Sequence, residues 1–396
     1  MQFDPRSPEF RANPYPYYDL LRQYAPVFLW EDWGMTFLSR HEDCQTLLRD
    51  DRVGHGTFME APEQQRPLLE MQSNWLLLQN PPDHTRLRGL VHKAFTPRMV
   101  EQLRTTIQTI TDRLLDSAQA NDEMDIIADL AYPLPVTVIA EMIGVPEADY
   151  DRFHGWSDAL ARSLDLVEDE TIYNRAGDAA AEFTTYLREL ADRRRVEPGQ
   201  DLLSALVAVE EEGDRLTEAE LYATCALLLV AGHETTINLI GNGTLALLQN
   251  RPQWDLLCAQ PELAKTAVEE LLRYDSPVQL TSRLVMQPIT IGEQDFQPGQ
   301  FVSVMLGSAN RDTAVFANAD QLDITRKPNP HLAFGAGIHY CLGAPLARLE
   351  GQIAFTTLSR RFPNLRLADP TPRYRENYIL RGLEALPVMG GLSRKV

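Results

Sequence analysis

Cysteine is scarce. The 396 residues hold four, Cys44, Cys225, Cys258 and Cys341. That is too few for the disulfide framework of secreted domains, so a reducing compartment is expected. Cys225 and Cys258 fall in apolar helical text and read as buried thiols. Long apolar runs are missing too. The best, CALLLVAG, falls far short of the roughly 20 residues a membrane span needs, so no anchor is expected. The opening MQFDPRSPEFRANPYPYYDLLRQ has neither a basic start before an apolar stretch nor a small-residue cleavage site. A secretory signal is thereby excluded, and the expectation is a cytoplasmic protein. Basic residues are in deficit, 37 Lys and Arg against 56 Asp and Glu, for a formal net charge of −19. General nucleic-acid binding needs basic surface to neutralise phosphates, and this balance argues against it.

Two motifs fail on spacing. HETTI ends in Ile237, where a zinc hydrolase needs the second imidazole of HExxH one turn along the helix. Gly335 and Gly337 suggest a nucleotide loop, but Tyr340 stands where GxGxxG needs its third glycine, and GxxxxGK[ST] is absent.

What is present is an ordered globular chain, 44% hydrophobic with both charge signs dispersed. Residues 98–118, 133–143, 147–163, 171–195, 217–249, 261–274 and 344–361 read as helices. After Pro277 the texture changes: VQLTSRLV, ITIG and FVSVMLG read as short strands. No repeat or linker divides the chain, so residues 1–396 are expected to form one mostly helical domain with a small sheet region.

The segment LTEAELYATCALLLVAGHETTINLIGNGTLALLQN is the most informative helix. Thr217 can cap it, with Glu220 completing a capping box. Its centre is apolar all round and should run through the core. Yet Gly232, His233, Glu234, Thr235 and Thr236 sit in that centre. A buried carboxylate needs a partner, and a mid-helix glycine costs about 1 kcal/mol relative to alanine, so something must offset both. A second cluster, HTRLRGLVHKAFTPR, gathers His84, Arg86, Arg88, His92, Lys93 and Arg98 with no acid among them. A solvated helix face and an anion or acidic-partner site explain it equally well.

The stretch HLAFGAGIHYCLGAPLARLE holds a single thiol ahead of a helix start, a position that favours a thiolate. No base and orienting residue for a cysteine nucleophile can be picked out. Phe334, Gly337, His339, Cys341 and Gly343 instead fit FxxGxHxCxG. Glu270 and Arg273 form ExxR, side by side at i, i+3 on a helix, and AGHETT occupies the long helix. With these motifs in this order, the chain resembles the cytochrome P450 family of haem-thiolate monooxygenases, from about Phe10 to Pro387.

The resemblance implies a mainly α fold with a minor β region, a single-domain prism holding haem b between the long central helix and the cysteine-ligand helix. Cys341 would be the axial iron ligand, pushing electron density toward bound oxygen. Gly335, Gly337, Gly343 and Phe334 would let the backbone approach the porphyrin. Ala231 and Gly232 would line the haem from the long helix, Gly232 also permitting a local widening there. Glu234 and Thr235 would be the acid-alcohol pair that delivers protons, and Glu270, Arg273 and Arg326 a structural cluster. His84, Arg88, Arg283 and His339 would neutralise the propionates. Arg86, His92, Lys93 and Arg98 would face an acidic ferredoxin or flavodoxin that brings NAD(P)H electrons from its reductase. Thr313 stands where the family often has proline.

The substrate implied is a bulky lipophile, macrolide-like or fatty acyl, hydroxylated at an unactivated C–H bond by a monomeric enzyme. Carbon-carbon cleavage of a free or carrier-bound fatty acyl chain is the alternative, with sterols or terpenoids also open and a non-catalytic haem-binding protein the contrasting class. Phe58, Trp75, Leu76, Val278, Leu280, Ile379 and Leu380 would wall the pocket, and core packing accounts for each equally well.

Overall fold

A computed structural model describes residues 4–390 except 6, 32–33, 57–61, 119–123, 166–168 and 212–213. Phe58 lies outside the described residues. The chain divides into two compact units, one of Met1–Gly54, Gln108–Pro133 and Thr235–Val396, the other of His55–Ile107 and Leu134–Glu234.

In the first unit a five-stranded sheet runs in the spatial order Val27–Trp30, Met35–Leu38, Phe301–Met305, Leu280–Val285, Val53–Gly54. All its pairings are antiparallel except Met35–Leu38 with Phe301–Met305. Leu38, Leu47, Val285, Phe296, Val302, Val304 and Leu332 form its core. FVSVMLG leaves the sheet at Met305 and turns into the short helix Leu306–Ala309. The hairpin VFLW…MTFL was not foreseen. Its signal was Gly34, whose φ of 59° is what a tight turn requires. The turn around Thr313 forms without proline: Asp312 Oδ1 accepts the Ala314 N–H at 3.0 Å and Oδ2 the His41 N–H at 2.9 Å.

Helices Ala264–Tyr274 and Ala344–Arg361 pack together in this unit. Gly351 lets them close on the long helix, because a Cβ there would stand 3.2 Å from both Leu239 and Val268 side chains. In the second unit Glu170–Val196 packs on Arg66–Ser73 and Tyr150–Arg162. Trp156 anchors that contact, its ring 5.6 Å from Phe183 and its Nε1 donating to Glu182 at 2.9 Å.

The long helix is Glu218–Gln249, starting one residue after its cap. The capping box is reciprocal: Glu220 N–H donates to Thr217 Oγ1 at 3.2 Å and Thr217 N–H to Glu220 at 2.8 Å. By length and composition this helix could cross a bilayer, but 72% of its apolar window is buried within the protein. It runs without a break through Gly232. The expected widening there does not interrupt it. The space a side chain would need at Gly232 is taken by Ile139 Cδ1, 2.8 Å from where a Cβ would stand.

Candidate functional site

The cysteine loop is shaped by two left-handed glycines, Gly335 at φ 68° and Gly337 at φ 70°. A Cβ at Gly337 would run into the Leu48 carbonyl oxygen, so this residue must be glycine on two counts. The 3₁₀ turn Gly337–His339 follows, and the chain folds back so that Cys341 N–H donates to Phe334 O at 3.0 Å. Gly343 then precedes the 18-residue helix Ala344–Arg361. The Cys341 thiol, half-exposed, therefore sits at the positive end of that helix dipole, where negative charge on sulfur is stabilised. A Cβ at Gly343 would lie 3.9 Å from its Sγ. The other thiols differ. Cys44 and Cys225 are buried, and burial pushes the Cys225 pKa up to about 12. Cys258 is half-exposed, because its helix Arg251–Ala259 buries chiefly Trp254 and Leu257.

Behind the loop, Glu270 and Arg273 are wholly buried and joined by two 2.7 Å hydrogen bonds. Arg326 Nε adds a bond at 3.0 Å to the same carboxylate, and Asn329 Nδ2 one at 3.2 Å. The remaining Arg273 donors reach the carbonyls of Asn310 and Ala319 at 2.9 and 2.8 Å. This pair thus pins the segment between the sheet and the cysteine loop.

A second relay escaped the sequence reading. Glu269 accepts from Arg348 Nε at 2.7 Å and from His331 Nε2 at 3.1 Å. His331 Nδ1 accepts the Ala333 N–H at 3.2 Å, which leaves the proton on Nε2. Burial alone would raise the Glu269 carboxyl, but His331 and Arg348 hold it at about 2. Arg348 also donates to Tyr340 Oη at 3.1 Å and lies 4.5 Å over the Phe334 ring. Two loop residues are thereby fixed from outside. The only trace in the sequence was Glu269 beside the ExxR glutamate.

On the long helix, Val230, His233, Glu234 and Thr236 are buried. In that surround Leu227, Leu228, Gly232 and Thr235 are only partly covered and Ala231 is exposed. Their spacing makes one open, mostly apolar stripe along a core helix, a face that an apolar group can cover. His233 turns elsewhere, its Nδ1 2.7 Å from Ser157 Oγ. Thr236 hydrogen-bonds the buried Glu350 carboxyl, whose Oε1 has no partner among the described residues.

Arg283 is 5% exposed and, among the described residues, its guanidinium meets only Thr281 Oγ1 and Ser282 O, at 3.2 and 2.8 Å. Burial lowers its pKa to about 10, with no carboxylate opposing the shift. A buried cation without an anion is costly and calls for one from a ligand. In the second unit, burial and then the charge of Arg88 lower the His84 pKa, so two basic groups share one place. Arg86 is a correction: Glu220 and Asp214 engage it, so it is not part of a docking patch. His92, Lys93 and Arg98 are exposed.

The half-buried loop and the uncompensated Arg283 of the first unit fit haem, and so, taken by itself, does the open stripe of the long helix. Of the wall candidates, Val278 bridges Leu380, and Gln279 N–H donates to Ile379 O at 2.8 Å. Leu280 starts the adjoining strand. Trp75 and Leu76 are buried in the second unit.

Comparison with known proteins agrees. The model of the family described as Cytochrome P450 matches residues 246–381. The polyketide biosynthesis cytochrome P450 PksS of Bacillus subtilis is 41% identical over 403 residues, 98% of each chain. The biotin biosynthesis cytochrome P450 of the same organism is 42% identical over 388 residues, covering 96% of this chain and 97% of its own. The crystal structure of P450BioI with an acyl carrier protein bearing hexadec-9Z-enoic acid superposes with a TM-score of 0.92 at 42% identity, covering 97% of this chain and 99% of that one. That of PksS gives 0.91 at 41% identity, covering 99% and 100%.

Proposed function

This chain belongs to the cytochrome P450 family, and from that premise we propose which of its residues serve the haem-thiolate monooxygenase reaction and what it oxidises. Haem, when bound, supplies the iron at which oxygen is activated. Cys341 is the proposed ligand. The observation that carries this is the loop itself: two left-handed glycines and the Phe334–Cys341 hydrogen bond hold the thiol at a helix N-terminus. Arg283 and His339 in one unit, and His84 and Arg88 in the other, are the proposed hydrogen-bond and charge partners of the propionates. Glu234 and Thr235 on the long helix pass protons to the reacting oxygen, with Thr235 Oγ1 as the last donor. The full chain, 1–396, is proposed as one haem-thiolate domain.

The substrate is a long lipophile, a fatty acyl or polyketide-like chain, hydroxylated at an unactivated C–H bond. Kinship with a polyketide biosynthesis enzyme and with a structure bound to an acylated carrier protein supports this class. Val278, Leu280, Ile379 and Leu380 are the proposed apolar walls. Electrons come from NAD(P)H through a separate reductase and a ferredoxin or flavodoxin, which a cytoplasmic monomer meets with the exposed His92, Lys93 and Arg98. Cleavage of a carbon-carbon bond in a carrier-bound acyl chain is the second reading, favoured by the carrier-protein complex of a 42% identical neighbour.

The test begins with the reduced, carbon monoxide-treated absorption spectrum of wild type and Cys341→Ala. A red-shifted Soret band lost in the variant is expected; a band retained by Cys341→Ala would overturn the ligand assignment. Mass spectrometry of products from free hexadec-9Z-enoic acid, its carrier-protein thioester and a macrolactone then separates the substrate classes.

A further inference from the structure

Arg381 is buried in the first unit, a guanidinium among aromatic rings. Its Nε donates to Asp275 Oδ1 at 2.7 Å, and that same oxygen accepts the Tyr15 hydroxyl at 2.5 Å. Its other two nitrogens donate to the backbone carbonyls of Arg11 and Ala12. The central carbon of the fork lies 3.7 Å from the Tyr374 ring centroid. One side chain therefore ties three segments that are far apart in sequence: 11–15, Asp275 and the loop 374–382.

The neighbouring contacts draw the same three segments together. Arg11 pairs with Glu376 at 2.6 Å. Tyr18 donates to Gln279 Oε1 at 2.9 Å. Arg381 N–H donates to Pro277 O at 2.8 Å, and Asn242 Nδ2 of the long helix donates to Arg381 O at 2.9 Å. Gly382 is required beneath this junction, since a Cβ would collide with Asn238. Between the N-terminal segment and the loop only about 20 Å³ is left, lined by Phe10, Tyr18, Gln279 and Tyr374 among others. That is room for one water.

The two segments so clamped, 277–280 and 379–380, are the ones that carry Val278, Leu280, Ile379 and Leu380. We propose that Arg381 and Tyr15 are positioning residues for substrate selection: the N-terminal segment, acting through Arg381, sets where Ile379 and Leu380 stand against Val278. This rests on the reading above that those four side chains wall the substrate pocket. A loop held only by its own backbone would let the wall shift with each ligand. Here a fork that donates to three acceptors on fixed elements and lies over the Tyr374 ring holds it. The device selects among chain lengths and reaction positions by rigidity.

The test uses the haem-loaded enzyme with free hexadec-9Z-enoic acid and its 12- and 14-carbon saturated analogues. Tyr15→Phe removes one hydrogen bond and no volume; Arg381→Lys keeps the charge and loses the fork. Each should speed amide hydrogen exchange over 374–382 about tenfold, weaken binding of the 16-carbon acid, and spread oxidation over more positions. The carbon monoxide spectrum should stay as in wild type. Ile379→Ala and Leu380→Ala test the pocket reading in parallel. If these two leave binding and products unchanged, the pocket reading fails. If they alter products while Tyr15→Phe leaves both exchange and product distribution at wild-type values, the positioning inference is overturned alone. Should Arg381→Lys not fold, Tyr15→Phe decides.

Discussion

The carboxyl of Glu350 meets the hydroxyl of Thr236 in a part of the core where no described residue offers it a cation. Burial raises its pKa to about 8, with the Thr236 hydrogen bond opposing only in part. Folded protein then keeps Glu350 neutral where the unfolded chain, near the ordinary value of 4.5, has lost its proton. Stability must fall as pH rises from about 4.5 to about 8, by a few kcal/mol in all, and level off above. Glu350→Gln stays neutral throughout and should remove that slope, making the variant more stable than wild type at pH 8 but not at pH 5. Urea unfolding between pH 4.5 and 9 checks it; equal slopes in both proteins would refute the neutral carboxyl.

Arg273→Ala would leave the Glu270 carboxylate wholly buried with fewer donors, a loss of roughly 3–5 kcal/mol by analogy with broken buried pairs. Arg273→Lys should recover little of it. One ammonium cannot span both carboxylate oxygens and the Asn310 and Ala319 carbonyls that the guanidinium reaches. The yield of folded, haem-retaining protein and its urea midpoint measure both variants.

The parts of this protein that were legible in its sequence are those encoded locally. Pro133–Ile143 and Ala344–Arg361 lie where the helical text placed them, and Thr217 with Glu220 forms the capping box. The cysteine loop was legible because its glycines need left-handed φ at fixed spacing. Partnerships across long sequence distance were not. Glu269 meets Arg348 79 residues away, and Arg86 meets Glu220 134 residues away, which took Arg86 out of the patch it seemed to join. Glu350 could have been found: it lies on the stripe of Leu346, Ile353, Ala354 and Thr357, all of which are buried. A charged residue on an otherwise buried stripe is a flag the periodicity alone carries.

Arg283 is a buried charge in want of an anion, so losing it should release haem rather than merely loosen the fold. Arg283→Met should raise the rate of haem transfer to apomyoglobin by about ten- to a hundredfold, the worth of a hydrogen bond to a charged group. Its urea midpoint without haem should hold or rise, since burial of an unpaired guanidinium is relieved. An unchanged transfer rate would assign Arg283 to the sheet alone.

Gly335 and Gly337 share the same φ but not the same surroundings. No described residue stands within 4 Å of a Cβ at Gly335, whereas one at Gly337 meets the Leu48 carbonyl. Gly335→Ala should therefore cost the haem-free fold the left-handed backbone strain alone, about 1–2 kcal/mol. Gly337→Ala adds a clash that must displace the loop or Leu48. Thermal unfolding of the haem-free protein should rank them in that order. Equal losses would mean that Leu48 yields freely.

Thr235 and Thr236 are adjacent on the long helix and face different ways, which gives the proton-delivery assignment its own control. Thr235 lies on the partly open stripe, and Thr236 is buried against Glu350. Thr235→Ala and Glu234→Gln should each slow product formation by about a hundredfold or more at unchanged substrate affinity, as expected for loss of a general acid. Electrons from NAD(P)H would then leave as hydrogen peroxide instead of product. Thr236→Ala should keep product and electron consumption in step while shifting the pH dependence of stability through Glu350. Measuring product, peroxide and NAD(P)H together in the three variants separates the roles. If Thr236→Ala uncouples and Thr235→Ala does not, the proton enters from the Glu350 side of the helix and the pair has been assigned to the wrong face.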